Sequence, residues 1–380
     1  MSYVYKIILK PKGSFYFGGE ESFSKSDLEA VVSKDKKAKD YFKKRQGYFA
    51  KSEKFPQQTQ LLGMLRYELL KKEKKIFYFK NFITVPANHK QDAKDLVGKS
   101  KWSPKDKLDL GIIQRLSHLY LYNADKKKLF LPTPKDINLT LIEKEKGYIN
   151  GRETKAYAFL KCDKPDSYFG AKDYLSSAFI DCDKNTLDLD SIYTSQVTTH
   201  TQTNNYKDDN EDALFKVKKY HLDKQYAFVF FVELAKEIFK EPYSTTVKLG
   251  GEESYFDMTV EKDDVEAFDI PQSKFSFLKK PTERIVLLSD TFVDAKDDIF
   301  SYTKVALCGK KVLRVMENSV KKEKHYKEHF KKSTKKVLLE KGSVFYPKDE
   351  NARKKIEDIL SNYTNFKTIG YNSYLTLKGE

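Results

Sequence analysis

The sequence predicts an α+β fold with β-hairpins. Three observations carry this. The chain opens on YVYKIIL, Tyr3 to Leu9, which alternates apolar and polar residues as a half-buried strand does. One strongly amphipathic helical segment follows Pro56. Elsewhere, short apolar runs rich in Val, Ile, Tyr and Phe are separated by Gly, Pro and Asn turns, the pattern of hairpins.

The opening strand feeds a turn-rich stretch, GSFYFGGEESF, at residues 13–23. Gly18-Gly19 permits positive φ and close backbone approach there. A polar, Lys-rich stretch runs from Ser24 to Lys54 and contains Arg45. In PQQTQLLGMLRYELLKK, Pro56 suits a helix start, because its missing N–H is not needed there. Leu61, Leu65 and Leu69 recur at i+4 spacing and set the buried face. Gly63 sits mid-helix at a cost of about 0.5–1 kcal/mol relative to Ala. Thr59, Gly63 and Arg66 form a stripe flanking the apolar face, where the missing side chain leaves room for another backbone. The plainer alternative is helix-on-sheet packing at Gly63 with a solvated Arg66.

Residues 76–86 read as a strand or strand pair, and 87–107 as polar loop. Residues 109–137 read as a hairpin about Asn123-Ala124-Asp125, ended by Pro132 and Pro134. Over 138–190 only short strands stand out, near Ala156 to Leu160 and Ala178 to Ile180. A long hairpin spans about 196–220, followed by a buried strand from Tyr226 to Glu233 and a short helix from Leu234 to Phe239. Residues 247–262 repeat GGEES at 250–254 and read as a glycine turn entering a strand. The acidic, Pro-containing segment from Asp263 to Pro271 is the expected domain boundary. Beyond it, strands are expected near Arg284 to Leu288, Lys310 to Val315 and Val344 to Tyr346. A helix is expected over 350–362 and a last strand from Tyr371 to Leu377.

The 380 residues suffice for one large domain or two ordinary ones. With 39% hydrophobic and 14% aromatic residues the chain can build a core, which excludes global disorder. The net charge of +16 comes from 71 basic and 55 acidic residues, and only seven of the basic residues are Arg. A dispersed Lys excess suits a soluble surface and permits an acidic partner without specifying one. Cys162, Cys182 and Cys308 lack CxxC spacing, so neither a disulfide scaffold nor a Cys zinc site is expected, and a cytoplasmic location is. The longest apolar stretch, from Tyr226 to Val232, is far short of the roughly 20 residues that span a bilayer.

No catalytic constellation emerges from the residues. There is no HExxH, no GxxxxGK[ST] loop and no GxSxG elbow. The GGE turns lack the third glycine of a dinucleotide fingerprint. His325 and His329 are spaced i, i+4 but lie within the Lys-rich stretch 321–336, which repels a metal cation. His200, in the Thr-rich arm of the long hairpin, is the one histidine suited to act as a general base in RNA cleavage. The residue chemistry favours a binding module without catalytic residues, cofactor, metal or small-molecule substrate.

Taken in order, several motifs resemble the RAMP superfamily of CRISPR effector subunits. The likeness is strongest to the type III-B (Cmr) subunit that holds the 5′ tag of the guide RNA. The motifs are FGGE at 17–20, then P-x-x-T-x-x-x-G-x-L-R at Pro56, Thr59, Gly63, Leu65 and Arg66. The hairpin ending in Pro134-Lys135-Asp136 comes next, with Lys135 inserted relative to the family's Pro-x-Asp phrase as the pattern departs here. THT…N…EDALF at 199–215, LGGE at 249–252, GSVFY at 342–346 and IGYN at 369–372 complete the set. GGEES lacks the Arg that relatives often carry after the glycines, and Gln202 and Asn204-Asn205 replace basic residues of the hairpin.

The resemblance implies two ferredoxin-like (RRM-like) RAMP domains with inserted β-hairpins. The N-terminal one would span 1–265, with insertions over about 87–195 and the long hairpin over about 196–220; the C-terminal one would span 272–380. It implies a non-catalytic subunit of a type III CRISPR-Cas antiviral effector. That subunit binds the crRNA 5′ tag and docks the large Palm-domain subunit and the first backbone RAMP subunit. The RNA-binding residues it points to are Gly18, Gly19, Thr59, Gly63, Arg66, Gly250 and Gly251, with Arg45 and His200 in second rank. Glycine turns bring backbone N–H groups to phosphate, and Arg offers a forked donor. Phe15, Tyr16 and Phe17 are candidate stacking rings, unless they form a buried strand edge. The alternatives are a RAMP-type endoribonuclease that cuts guide precursor with His200 as base, and a Lys-rich structural protein that binds other proteins.

Overall fold

The computed structural model describes residues 2–18, 48–79, 82–99, 102–104, 106–149, 152–169, 178–201, 214–264, 268, 272–313, 316–319, 329–332 and 335–379. In chain order the first elements are β1 (Tyr3–Pro11), β2 (Phe17–Gly18), β3 (Tyr48–Glu53) and helix α1 (Gln58–Lys72). The small hairpin β4–β5 (Phe77–Phe79, Phe82–Thr84), helix α2 (Lys90–Val97), β6 (Ile113–Leu116), β7 (Tyr120–Asn123) and β8 (Lys128–Pro132) follow. Next come β9 (Leu139–Ile149), β10 (Arg152–Lys161), β11 (Lys164–Tyr168), β12 (Ala178–Ile180), β13 (Thr186–Asp188) and the single turn α3 (Leu189–Ile192). The long hairpin is β14 (Tyr193–Thr201) and β15 (Leu214–Leu222), and then come β16 (Tyr226–Leu234), β17 (Tyr243–Lys248) and β18 (Tyr255–Asp263).

The C-terminal part comprises β19 (Arg284–Leu287), β20 (Thr291–Phe292), β21 (Thr303–Leu307), β22 (Lys310–Leu313), β23 (Met316–Ser319), β24 (His329–Lys332), β25 (Lys336–Leu339) and β26 (Val344–Pro347). Helices α4 (Glu350–Asn362) and α5 (Thr364–Thr368) and strand β27 (Tyr374–Leu377) end it. The fold is mixed α+β, mostly antiparallel sheet with few helices.

The main sheet runs β13-β12-β8-β7-β16-β1-β18-β17, with β6 also pairing β16. Its centre explains the apolar run from Tyr226 to Val232. Phe228, Phe230 and Val232 face a cluster with Ile7, Leu9 and the α1 leucines Leu61, Leu62, Leu65 and Leu69. Ala227, Val229 and Phe231 face the opposite way, into a cluster with Val286, Val344, Tyr346 and Leu375 of the C-terminal part. A strand covered on both faces has no solvent side and so loses the polar half of its alternation. The C-terminal sheet, ordered β21-β26-β19-β27, provides that second cover, and α4 packs behind it through Ile356 and Leu360. Asp349 caps α4 by accepting from the Ala352 N–H at 2.8 Å.

Several expectations are corrected. Residues 87–107 are not simply loop, because α2 buries Ala93, Leu96 and Val97. The helix over Leu234 to Phe239 does not form: Leu234 ends β16, the Ala235 N–H donates to the Ile112 carbonyl, and Phe239 packs edge-on against Tyr5. Residues 138–168 hold a long antiparallel hairpin, β9–β10, extended by β11, where only short strands are expected. The last strand begins at Tyr374 because Gly370 to Asn372 form a turn: φ is +92° at Gly370 and 56° at Asn372. The long hairpin over about 196–220 pairs in regular register from Tyr193↔Leu222 to Thr201↔Leu214.

Candidate nucleic-acid interface

The structure sets the second glycine turn against the strand edge that leads into Gly18. Tyr16 bridges to Gly251, whose N–H donates to the Tyr16 carbonyl at 2.9 Å. The Tyr16 N–H in turn donates to Ser254 Oγ at 2.8 Å. Gly250 has φ +94°, and a Cβ there would stand 2.4 Å from the Tyr16 carbonyl oxygen, so only glycine fits. Gly18 pairs with Ser52 on β3. Lys219 closes the second turn by donating to the Glu252 carbonyl at 3.2 Å. The Gly251 N–H is therefore directed into the fold.

The aromatic trio is corrected as a stacking platform. Phe15 and Phe17 are fully buried and Tyr16 nearly so. Phe15 and Phe17 pack on Phe228 and Phe256, since the strand edge lies over the main sheet, and Tyr16 packs with Ala50 and Val217. On α1, Thr59, Gly63 and Arg66 part company. Gly63 is exposed, and a Cβ added there would meet nothing within 4 Å. Arg66 is only 8% exposed and donates to the Asp109 carbonyl at 3.4 Å. Burial pulls its pKa down to about 10, with the Asp109 charge opposing. Thr59 is half-buried and lies beside the Tyr371 side chain. Gly19, Arg45 and the side chain of His200 lie outside the described residues; His200 itself pairs with Phe215 in the long hairpin.

A cleft of about 430 Å³ opens beside β3, and sequence reasoning does not find it. Strand β3 and the segment after it supply Lys51, Glu53, Lys54 and Phe55. Phe179 of β12 and Lys135 after β8 line another wall. Asp290, Lys311, Glu340 and Lys341 come from the C-terminal part. Gly342 makes the last approach possible: its φ is +81°, and a Cβ would lie 2.7 Å from the Thr133 carbonyl oxygen. The GSVFY motif is thus the turn that delivers Lys341.

Most of the cleft's charges are paired. Lys311 lies 3.5 Å from both Glu53 and Asp290, Lys135 3.0 Å from Glu340, and Lys54 2.5 Å from Asp190. Burial opposes the charge of Lys311, but Asp290 and Glu53 outweigh it and hold its pKa above the usual range. Lys341 differs. Its backbone N–H donates to Asp290 at 3.1 Å, while its Nζ stands 3.3 Å from the Phe55 ring centroid. Burial, only partly offset by Asp290, pulls its pKa down to about 8. On β15, Lys216, Lys218 and the cleft residue Tyr220 share one face, and Lys218 pairs in register with Lys51. Lysines therefore lead along the sheet into the cleft. Nothing local marks Lys311 or Lys341 among so many lysines; only their convergence does.

Among the described residues, no cluster of three or more His, Cys, Asp or Glu could hold a metal ion, and no helix is long and apolar enough to cross a membrane.

Comparison with known families defines the class first: the chain is a CRISPR-associated protein. It belongs to the family described as CRISPR-associated protein (Cas_Cmr3), which matches residues 38–379. No curated protein matches it. Among solved structures it is similar to a chain of the type III-B Cmr-beta complex bound to cognate target RNA and AMPPnP, and to one bound to cognate target RNA. For each, identity is 14%, coverage is 97% of this chain and 96% of the other, and the TM-score is 0.47.

Proposed function

We propose that this chain is the non-catalytic subunit that holds the 5′ tag of the guide RNA in a type III-B antiviral effector. In this role it docks the large Palm-domain subunit and the first backbone RAMP subunit. The observation that carries the reading is the lysine-lined cleft beside β3, reached along Lys216, Lys218 and Lys51. Single-stranded RNA is held by a basic groove that tracks its phosphates. Family membership supports the assembly.

We further read both parts as ferredoxin-like. The orders β18-β1-β16-β7 and β27-β19-β26-β21 each place the fourth, first, third and second strands side by side, as a β-α-β-β-α-β unit does. The first unit keeps its first helix, α1, and the second keeps its second helix, α4.

The test is reconstitution of the effector with Lys218→Glu and Lys341→Glu chains. Guide RNA co-purifying with the complex should fall about tenfold or more, while protein subunits still assemble. Undiminished guide in both variants would reject the reading.

A further inference from the structure

We propose that this cleft recognises the phosphate backbone of its strand and not the bases, and that Lys341 is the residue that imposes this. The inference rests on the RNA-binding reading above and specifies what that site takes.

An aromatic-lined basic cleft would ordinarily suggest base stacking, which needs an open ring face. Here no ring face is open. Phe55 and Phe179 are stacked on each other, with centroids 5.2 Å apart and nearly parallel planes 16° apart. They are 6% and 1% exposed. The Lys341 ammonium covers both, at 3.3 and 5.1 Å from the two centroids. The third ring of the cleft, Tyr220, is 7% exposed and has Lys218 and Lys54 at 5.5 and 6.0 Å. Cations at these distances are held by the ring quadrupole. What covers the rings is therefore ammonium groups, with the rings serving as their supports.

Lys341 is also the cleft cation best placed to exchange partners. Lys54, Lys135 and Lys311 each have a carboxylate at ion-pair distance. Among the described residues Lys341 Nζ has none. A phosphodiester entering the cleft supplies the missing anion without breaking an existing pair. The groups around Lys341 are Asp290, Glu53, Glu340, Lys311, Lys135 and the buried His118 and Tyr371. At neutral pH, Lys341 stays protonated.

The full-length chain is titrated, at fixed salt, against a short single-stranded RNA and an abasic ribose-phosphate strand of equal length. The wild type should bind both equally. Lys341→Ala should weaken binding overall yet uncover the two rings, so that the RNA now outbinds the abasic strand. Weaker wild-type binding of the abasic strand, by about tenfold or more, would overturn the proposal and leave the RNA-binding reading standing, since each stacked base contributes about 1–3 kcal/mol. Failure of the wild type to bind either strand, or tighter binding of an oligoglutamate peptide, would remove the reading beneath it.

Discussion

The carboxylate of Asp136 and the guanidinium of Arg284, both fully buried, meet at 3.0 Å and join the segment after β8 to the first strand of the C-terminal sheet. The Tyr346 hydroxyl donates to the same carboxylate, and Lys280 lies 3.9 Å away. Burial and the Asp136 charge together raise the Tyr346 pKa far above its usual range, so the phenol remains a donor. Asp136→Ala leaves Arg284 charged and buried, and should cost about 3–5 kcal/mol in chemical denaturation. Adding Arg284→Met should restore part of that loss.

Two kinds of glycine should respond in opposite directions. At Gly370, φ is +92° and a Cβ would stand 2.2 Å from the Ser117 carbonyl oxygen. Gly370→Ala should destabilise the chain by well over about 1 kcal/mol, read from its denaturation midpoint. Gly63 is helical, exposed and unobstructed, so Gly63→Ala should stabilise the isolated chain by about 0.5–1 kcal/mol. If that open helix face receives another subunit, Gly63→Leu should still fold but assemble poorly, as co-purification would show.

Arg66→Ala should reduce guide retention more than any single Lys→Ala within 321–336, and it should also lower the melting temperature. The second effect follows from burial: truncating Arg66 removes packing as well as charge. A retention defect with an unchanged melting curve would mean that Arg66 turns outward to meet RNA.

His118 is buried against Tyr120, with centroids 4.2 Å apart, and burial together with Lys341 pulls its pKa down to about 3. It is neutral in the folded chain and titrates near about 6.5 when unfolded. Its contribution to stability is complete above about pH 6.5 and declines as the pH falls toward 3. His118→Gln should flatten that part of the stability–pH curve, measured by denaturant titration from neutral pH down to about pH 4.

Lys216→Ala and Lys218→Ala should each lower RNA affinity at low salt. Each should also reduce the slope of log affinity against log salt by about 0.7, as loss of one phosphate contact does on a single strand. An unchanged slope would exclude β15 from the RNA path.

Local pattern made much of the scaffold legible. The alternation in Tyr3 to Leu9, the leucine spacing of α1 and the capped helix over 350–362 are short-range signals, and each becomes the element expected. The hairpin β9–β10 is legible only in part: Leu139, Leu141 and Phe159 at one end pack into the core, but Glu143 to Lys146 and Arg152 to Lys155 are polar and show no apolar period. The segment from Leu234 to Phe239 misleads for the opposite reason: its apolar residues answer to Tyr5 and the core rather than to a helix.

The sequence by itself determined the α+β class, the glycine turns and the order of motifs that marks the family. Those properties reside in residues close together along the chain. Only the tertiary structure decided the site. It turned Phe15 and Phe17 inward and buried Arg66. It also set Lys341, from a turn freed by Gly342, over Phe55 and Phe179 at 3.3 and 5.1 Å. These partners lie far apart along the chain, and a lysine's local sequence does not record which ring or carboxylate the folded chain will bring beside it.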